Sequence, residues 1–320
     1  MQDKLIARAK ELLSEGKVKK VVGWKKGLFE DDITPAVFTT AEELDKDFVF
    51  NKYCKANLAK YLVGITKNIE IAKSTTRMNN TMAKQRDPNA QDAPIPQEVV
   101  LVFLKPSDTY SFTQLLKESR ITREDVYAIG VPCQDTLDGG DLCDNCAGKK
   151  PVSCDEYIGV DPNADVAPNT SRMDEVAKLE AMSVEERYNF WRNEFSRCIR
   201  CNACRNVCPA CTCEKCVFDN NALYTTQKVA ETNFEESLFH IIRAWHVAGR
   251  CTDCGECSRV CPQNIPLYLL NRKYIKDINE IYGDYQAGAD MESKPAMLCF
   301  KEDDPETTIV YDRSKDGGNE

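Results

Sequence analysis

The spacing of apolar residues predicts alternating helices and strands in the first half of the chain. Apolar side chains recur at helical spacing over residues 2–14 and again over residues 57–65. Residues 18–24 form a short β-prone run that closes before Gly27. Residues 81–97 are polar and contain prolines, so we expect a loop or an insertion there.

The clearest unit of this half is a strand, a helix and a second strand. Residues 99–104 are a continuous apolar run of the length of a buried strand, and residues 126–131 form the next such run. A helix is expected between them, from about Ser111 to Ser119. Strands joined by a helical crossover of this length run parallel. The pattern therefore predicts an α/β domain with a parallel sheet.

Helical patterns replace strands in the second half of the chain. A capping box, Ser183 to Glu186, opens a helix whose apolar positions lead directly to Cys198. A second helix starts at about Asn233 and stops at Gly249, two residues before Cys251. Its apolar positions are spaced for one face and are Phe234, Leu238, Ile241, Ile242 and Trp245.

These patterns divide the chain into four parts. Residues 1–160 are expected to form the α/β domain, and residues 161–170, which are rich in Asp, Asn and Pro, the linker. Residues 171–285 are expected to form a mainly α-helical two-cluster ferredoxin domain, for the reason given next. Residues 286–320 read as a polar tail.

Two cysteine runs supply the candidate chemistry. Each has the spacing C-x2-C-x2-C-x3-C-P, which holds 4Fe-4S clusters in two-cluster ferredoxins. A single run of this kind also occurs at zinc sites, but two complete copies with both prolines indicate two 4Fe-4S clusters. The cysteines of the runs are Cys198, Cys201, Cys204 and Cys208, followed by Cys251, Cys254, Cys257 and Cys261.

The fourth cysteine of each run is expected to reach the other cluster, as in ferredoxins. One cluster would then be held by the first three cysteines of the first run with Cys261, and the other by Cys208 with the first three of the second run. The 42 residues between Cys208 and Cys251 are long for a compact ferredoxin. An inserted hairpin there leaves open the alternative that each run closes on its own cluster.

A second cysteine group lies in the first half, with the spacing C-x9-C-x2-C-x7-C. Its first member follows the end of a predicted strand, where open α/β sheets place their ligands. Four thiols in an Asp- and Gly-rich loop favour a metal site, either a third 4Fe-4S cluster or zinc, over cysteines that merely pack. The members are Cys133, Cys143, Cys146 and Cys154.

Three further cysteines follow Pro209 immediately: Cys211, Cys213 and Cys216. Three thiols are one short of a zinc or cubane set, so a metal here needs another ligand, such as Cys54 or a non-cysteine group, unless the three contribute to the metal site of the first half. The alternative is a thiol-rich turn that binds no metal. We assign no ligand role to either His240 or His246, since a lone histidine on a helix usually packs or is solvated.

Composition narrows the class of protein. The net charge of -9 argues against a nucleic-acid surface. No apolar run approaches the roughly 20 residues that span a bilayer, and the amino terminus does not look like a signal peptide. Seventeen cysteines without an export signal indicate a reducing cytoplasm and an anaerobic or low-oxygen host.

Two stretches resemble known families. Residues 244–251, continuing through Pro262, are similar to the alpha-helical ferredoxin domain of heterodisulfide reductase and related electron-transfer subunits. Residues 104–108, 121–125 and 129–133 resemble the beta subunits of deazaflavin-reducing hydrogenases and formate dehydrogenases. Members of the second family often carry a flavin, so the resemblance implies FAD as a candidate cofactor. Ser107 occupies a position where many of those relatives carry cysteine.

The expected function is therefore that of an iron-sulfur electron-transfer subunit of an anaerobic oxidoreductase complex. Its partners would be other redox subunits: a flavoprotein, a hydrogenase, a formate dehydrogenase or a heterodisulfide-reductase-like protein. The alternative is a flavin-containing subunit that itself reduces a soluble electron carrier, in which Lys105 and Asp108 could face the flavin. A scaffold that binds only structural zinc is the third reading.

Overall fold

The computed structural model describes residues 1–133, 146, 150–164, 171–219, 233–299, 301, 302 and 304. The strands within these residues are β1 (Lys20–Lys26), β2 (Ile33–Phe38), β3 (Val100–Leu104), β4 (Val126–Gly130) and β5 (Glu156–Tyr157). The helices are α1 (Gln2–Ser14), α2 (Ala41–Asp47), α3 (Ala59–Arg86), α4 (Pro106–Lys117), α5 (Asp174–Ala181), α6 (Val184–Ser196), α7 (Ala203–Asn206), α8 (Asn233–His246), α9 (Glu256–Arg259) and α10 (Leu267–Tyr282).

The first half is built on one five-stranded sheet with the order β2-β1-β3-β4-β5. The pairs β1–β3, β3–β4 and β4–β5 are parallel, which confirms the predicted parallel sheet. The edge strand β2 pairs antiparallel with β1 as a hairpin. All five residues of β3 are buried, because this strand lies in the middle of the sheet and is covered on both faces.

Helices cover the sheet and largely follow the predicted pattern. The helix expected over residues 2–14 is present and buries Leu5, Ala9 and Leu12. Helix α3, in contrast, continues to Arg86, so residues 81–86 are helical rather than part of a loop. The reason is local: these six residues are mostly strong helix formers, and the prolines begin only at Pro88.

The second half is helical and packs around cysteines. The predicted capping box is present: Ser183 Oγ accepts from the backbone N–H of Glu186, whose carboxylate accepts from the N–H of Ser183. The apolar core next to it contains Phe195, Ile265 and Leu267, together with two thiols, Cys204 and Cys257. The core of this half is thus organised around its sulfur atoms.

Helix α8 has its polar residues inside and its apolar stripe outside. Glu236, His240 and Arg243 are only 4%, 1% and 3% exposed, and they lie at positions i, i+4 and i+7 of one helix face. Four of the five apolar residues predicted to share a face are exposed, and one of these, Trp245, also contacts the ring of Tyr274 on α10, with 5.6 Å between the ring centroids. The large exposed side chains of this stripe are Phe234, Leu238, Ile241 and Trp245, with exposures of 72%, 41%, 45% and 54%.

The two halves touch through α4 and the second cysteine run. Ser111 Oγ and Thr252 Oγ1 lie 2.9 Å apart in a buried contact, and Arg250 Nε donates to Glu118 at 2.8 Å. The backbone of Gly288 packs closely against α4, since a Cβ at this position would lie 1.9 Å from the carbonyl oxygen of Tyr110. Gly288 also has a φ of +75°. In the described ranges, no helix combines the length and the apolar character needed to cross a bilayer.

Candidate metal centres

The two cysteine loops share an unusual backbone. Arg200 and Asn202 in the first loop have φ values of +52° and +61°, and Asp253 and Gly255 in the second have +57° and +73°. Each loop then enters a four-residue helix, α7 or α9, that carries the third cysteine of its run. The left-handed residues fold both chains in the same way, so the sequence repeat is also a structural repeat.

An ion pair holds each loop at the residue before its second cysteine. Arg200 donates from Nε to Glu236 at 3.0 Å, and its guanidinium lies 4.1 Å from the ring centre of Phe239. Asp253 accepts from Arg272 Nε at 2.8 and 3.0 Å. The loop residue of the pair is an arginine in the first loop and an aspartate in the second, but both pairs fix the loop in place. Each pair anchors a strained loop residue to a neighbouring helix.

The loops enclose two small cavities, and each cavity is lined by cysteines of both runs. The first is lined by three cysteines of the first run and by the last cysteine of the second: Cys198, Cys201, Cys204 and Cys261. The second is lined by the last cysteine of the first run and two of the second: Cys208, Cys251 and Cys254. Helix α4 closes the second cavity with Ser111, Gln114 and Leu115, so the α/β half forms part of its wall.

Cys257, the remaining thiol of the second group, is buried beside the same sulfur atoms. Burial raises the pKa of this thiol, and the nearby Cys208 adds to the rise. Burial likewise raises the pKa of Cys198 to about 12 and that of Cys204 to about 11. These thiols stay protonated at neutral pH until a metal displaces the protons, so metal loading here releases protons.

Two buried polar side chains of α8 have no hydrogen-bond partners among the described residues. His240 lines the first cavity, stacks on Phe195 at 4.5 Å, and leaves both ring nitrogens unpaired. Burial lowers its pKa to about 3, so the imidazole is neutral. All three guanidinium nitrogens of Arg243 also lack hydrogen-bond partners; this side chain lines a separate cavity and lies near the sulfurs of Cys257 and Cys204.

Orphaned buried donors of this kind fit an anionic group in the cavities. A thiolate-ligated iron-sulfur cluster carries negative charge and sulfide acceptors, which an N–H donor and a buried cation would satisfy. The residues present therefore fit two clusters.

The spacing of the sulfurs distinguishes a cluster from mononuclear zinc. Zinc–sulfur bonds of about 2.3 Å in a tetrahedron place ligand sulfurs roughly 3.8 Å apart. Among the described residues, the group of three potential ligand side chains that comes within 4.8 Å of one another is Cys198, Glu236 and His240, which is not a cysteine set. The thiols of both cavities are spread more widely than zinc requires.

Comparison with known proteins agrees with this geometry. Residues 194–265 match the family model of the 4Fe-4S dicluster domain. The helical half carries a 4Fe-4S dicluster domain. This confirms the two predicted 4Fe-4S clusters at the level of the domain.

Curated relatives support the second resemblance. The chain is 32% identical over 122 residues to the F420-dependent formate dehydrogenase subunit beta of Methanocaldococcus jannaschii, covering 37% of this chain and 31% of the relative. It is 30% identical over 145 residues to the F420-dependent formate dehydrogenase 1 subunit beta of Methanococcus maripaludis, covering 41% and 36%. The chain thus spans about a third of the length of the curated relatives it matches.

The first-half cysteines are placed only in part. Cys143 lies outside the described residues. Cys133 follows β4, as predicted, and Cys154 lies against the end of the same strand, 3.4 Å from where a Cβ of Gly130 would stand. Burial raises the pKa of Cys154 to about 12. Burial raises the pKa of the Tyr110 phenol, and the nearby Cys146 raises it further.

The three cysteines after Pro209 line a larger cavity of their own, of about 450 Å³. The fourth ligand suggested for them, Cys54, is not in this cavity. Its thiol is buried in the core of the α/β half and donates to the carbonyl of Val49 at 3.5 Å. The idea that Cys54 completes this set is therefore wrong.

Lys105 and Asp108, considered as flavin contacts, are used internally. Lys105 Nζ donates to the carbonyl oxygens of Cys54, Lys55 and Ala56 at 2.9–3.1 Å and lies 3.0 Å from Asp108 Oδ2. This network fixes the segment before α3 to the end of β3. Since Lys105 is fully engaged, it offers no free donor to a flavin, and FAD stays a prediction that no observation tests.

Sequence reasoning missed His240, Arg243 and Glu236. Their signal was present in the sequence: three polar residues at helical spacing on the side of α8 opposite to the apolar stripe. A helix between two predicted metal loops that carries three polar residues on one side is expected to turn that side towards the metals.

Proposed function

We propose that this chain relays electrons, one at a time, through two 4Fe-4S clusters as a subunit of an oxidoreductase complex. The observation that carries the proposal is the arrangement of the cavities, each lined by thiols of both runs. The first cluster would be held by Cys198, Cys201, Cys204 and Cys261. The second would be held by Cys208, Cys251, Cys254 and Cys257.

The clusters supply the one-electron chemistry, and the chain's own residues set the conditions for it. Cys204 and Cys257 are buried and keep water from that side of each cluster, which affects its potential, whereas Cys201 is exposed. His240 would donate an N–H to the first cluster. Arg243, which lies between the thiols of both groups, would offset their negative charge. Arg272 and Arg200 keep the loops in the conformation that presents the sulfurs.

A partner subunit is proposed for the outer face of α8, the stripe Phe234, Leu238, Ile241 and Trp245. Contiguous exposed apolar patches mark interaction sites on soluble proteins. The opposite face of the same helix lines the first cluster cavity with Phe239 and His240. A redox partner docked here would therefore be separated from the first cluster by about one helix diameter, roughly 10 Å. Both curated relatives are themselves named as subunits. A redox subunit is thus the occupant that the location favours.

Purification under strict anaerobiosis from the native host tests this function. The chain should be recovered with at least one redox subunit, such as a flavoprotein, a hydrogenase or a formate dehydrogenase catalytic subunit. Reducing that partner with its own substrate should then bleach the cluster absorbance of this chain. Recovery of a fully loaded chain that no co-purifying subunit can reduce would contradict the role.

We further propose that Cys133, Cys143, Cys146 and Cys154 bind an additional metal. The position of Cys133 and Cys154 at the carboxyl end of β4, where α/β sheets bind ligands, supports this. Changing Cys133 and Cys154 to serine together should remove either one zinc or one iron-sulfur cluster per chain. Elemental analysis identifies which, and an unchanged metal content would refute the site.

A further inference from the structure

A cavity separate from the two cluster cavities combines thiols with positive charge. It is about 450 Å³ in volume and lies between the α/β half and the helical half, with Lys60 on α3 as one wall. Three thiols line it: Cys211, Cys213 and Cys216. Four cationic side chains and two carboxylates line it as well: Lys60, Arg205, Arg243 and Arg250, with Glu214 and Asp219. Arg205 pairs with Asp219 and Arg250 pairs with Glu118, which leaves Arg243 as the arginine of this cavity without a partner among the described residues.

Arg243 is the strongest single indication. It is 3% exposed, and none of its guanidinium nitrogens has a hydrogen-bond partner among the described residues. A buried, unpaired charge is costly unless a counter-charge is present. Its electrostatic neighbours are the sulfurs of Cys211 and of the cluster cysteines, which carry negative charge only as thiolates. A negatively charged group in the third cavity would supply the missing partner on that side.

The segment that carries the three thiols is fixed in place before any ligand binds. Lys60 Nζ donates to the backbone carbonyl of Cys211, and Lys67 pairs with Glu214 at 2.5 Å. Arg205 pairs with Asp219 at 2.8 Å and also reaches the thiol of Cys216. Three contacts over nine residues make this a built site rather than a loose, thiol-rich turn.

The three thiols are not spaced for a single zinc ion. Cys211, Cys213 and Cys216 do not form one of the groups that come within 4.8 Å of one another in the described part of the chain. A single zinc ion would need sulfurs roughly 3.8 Å apart. In this respect the three thiols resemble those of the two cluster cavities.

The cavity also adjoins the second cluster site. The thiols of Cys208 and Cys211 are hydrogen-bond partners, and Cys208 lines the second cavity. At the other end of the set, Cys213 is exposed to solvent. The three thiols therefore lead from the second cluster site to the surface.

We propose that Cys211, Cys213 and Cys216 hold a third iron-sulfur cluster in this cavity, balanced by the surrounding arginines and Lys60. The inference rests on the proposed relay function and extends it. One electron would pass from the reduced second cluster to the oxidised third, with no bond made or broken. The third cluster then gives the second cluster a route to the surface at Cys213, where a soluble electron carrier can exchange electrons.

The test compares the metal content of the full-length chain, purified anaerobically, with that of the Cys213→Ser/Cys216→Ser double variant. Cys211 is left intact because it contacts Cys208. The variant should lose three to four iron atoms per chain, with matching sulfide, and no zinc. The Cys299→Ser variant is the control and should keep all of its iron. An unchanged iron content, or the loss of one zinc instead, would overturn the third cluster.

The outcome separates this inference from the function on which it rests. Wild-type protein with fewer than eight iron atoms would mean that the relay itself fails. Wild-type and double-variant protein with the same eight or more iron atoms would overturn the third cluster alone. If the double variant loses all of its iron, the single Cys213→Ser variant decides: loss of three to four atoms supports the third cluster, and loss of all or none overturns it.

Discussion

Arg272 donates from Nε to both carboxylate oxygens of Asp253, at 2.8 and 3.0 Å, and both side chains are almost completely buried. Asp253 stands between the first two cysteines of the second run, in a left-handed conformation with φ of +57°. Arg272 also donates to the carbonyl of Arg172 at 3.0 Å, which ties α10, the loop and the start of the helical half together. The second cluster loop therefore depends on a residue far outside the cysteine motif.

Replacing Arg272 with glutamine should destabilise the second cluster loop. Removing one partner of a buried ion pair leaves an uncompensated charge, which costs about 3–5 kcal/mol. The expected result is faster loss of iron from the second site on mild heating, measured by the absorbance of the anaerobic protein. Lys84→Gln breaks an exposed pair with Asp92 and serves as the control, which should behave like wild type. Equal iron retention in both variants would refute the role of the buried pair.

The crossed ligand sets predict which cysteine variants resemble each other. Cys198→Ser and Cys261→Ser should alter the same electron paramagnetic resonance signal, since both residues line the first cavity. Cys208→Ser should instead alter the signal that Cys251→Ser alters. If Cys198 and Cys208 variants share one signal and Cys251 and Cys261 variants share the other, each run closes on its own cluster and the assignment is wrong.

His240 is expected to raise the potential of the first cluster. Its unpaired ring N–H faces the cavity, and a hydrogen bond to a charged acceptor contributes about 1.5–3 kcal/mol. Such a bond stabilises the more negative, reduced state. The His240→Leu variant should therefore have a more negative midpoint potential in a redox titration followed by spin resonance, and His240→Asn, which keeps an N–H donor, should recover part of the shift. A positive shift in the leucine variant would contradict this.

Sequence patterns predicted the features that short stretches of the chain determine by themselves. The buried strand β3, the capping box at Ser183 and the spacing of both cysteine runs each follow from a few neighbouring residues. The pairing between runs was predicted only by analogy with ferredoxins, because the 42 residues between them left local closure open. The cavities supply the geometric support that the spacing could not.

Features that depend on distant contacts could not be predicted. Helical periodicity gave the apolar stripe of α8 but not its direction, since an amphipathic helix looks the same whether its apolar face is inside or outside. The wall that Ser111 and Gln114 contribute to the second cavity comes from a helix about 140 residues earlier in the chain. Only the tertiary fold brings these residues to the cysteines.

The outer face of α8 can be tested as a partner site without disturbing the clusters. Phe234 and Ile241 are exposed, so changing both to serine should leave the fold and the iron content unchanged while weakening association with the redox subunit at least tenfold. Co-purification from the native host measures this. Leu28→Ser, at an exposed position between β1 and β2, is the matched control. Undiminished partner recovery with the double variant would place the docking site elsewhere.

The most direct test of the account is the content of iron and acid-labile sulfide in the full-length chain purified without oxygen, together with its spin resonance spectrum after reduction. A dicluster domain holds two clusters of four iron atoms each, so at least eight iron and eight sulfide per chain are predicted, with signals from reduced 4Fe-4S centres at low temperature. Fewer than eight iron atoms per chain, or the absence of such signals after reduction, would contradict it.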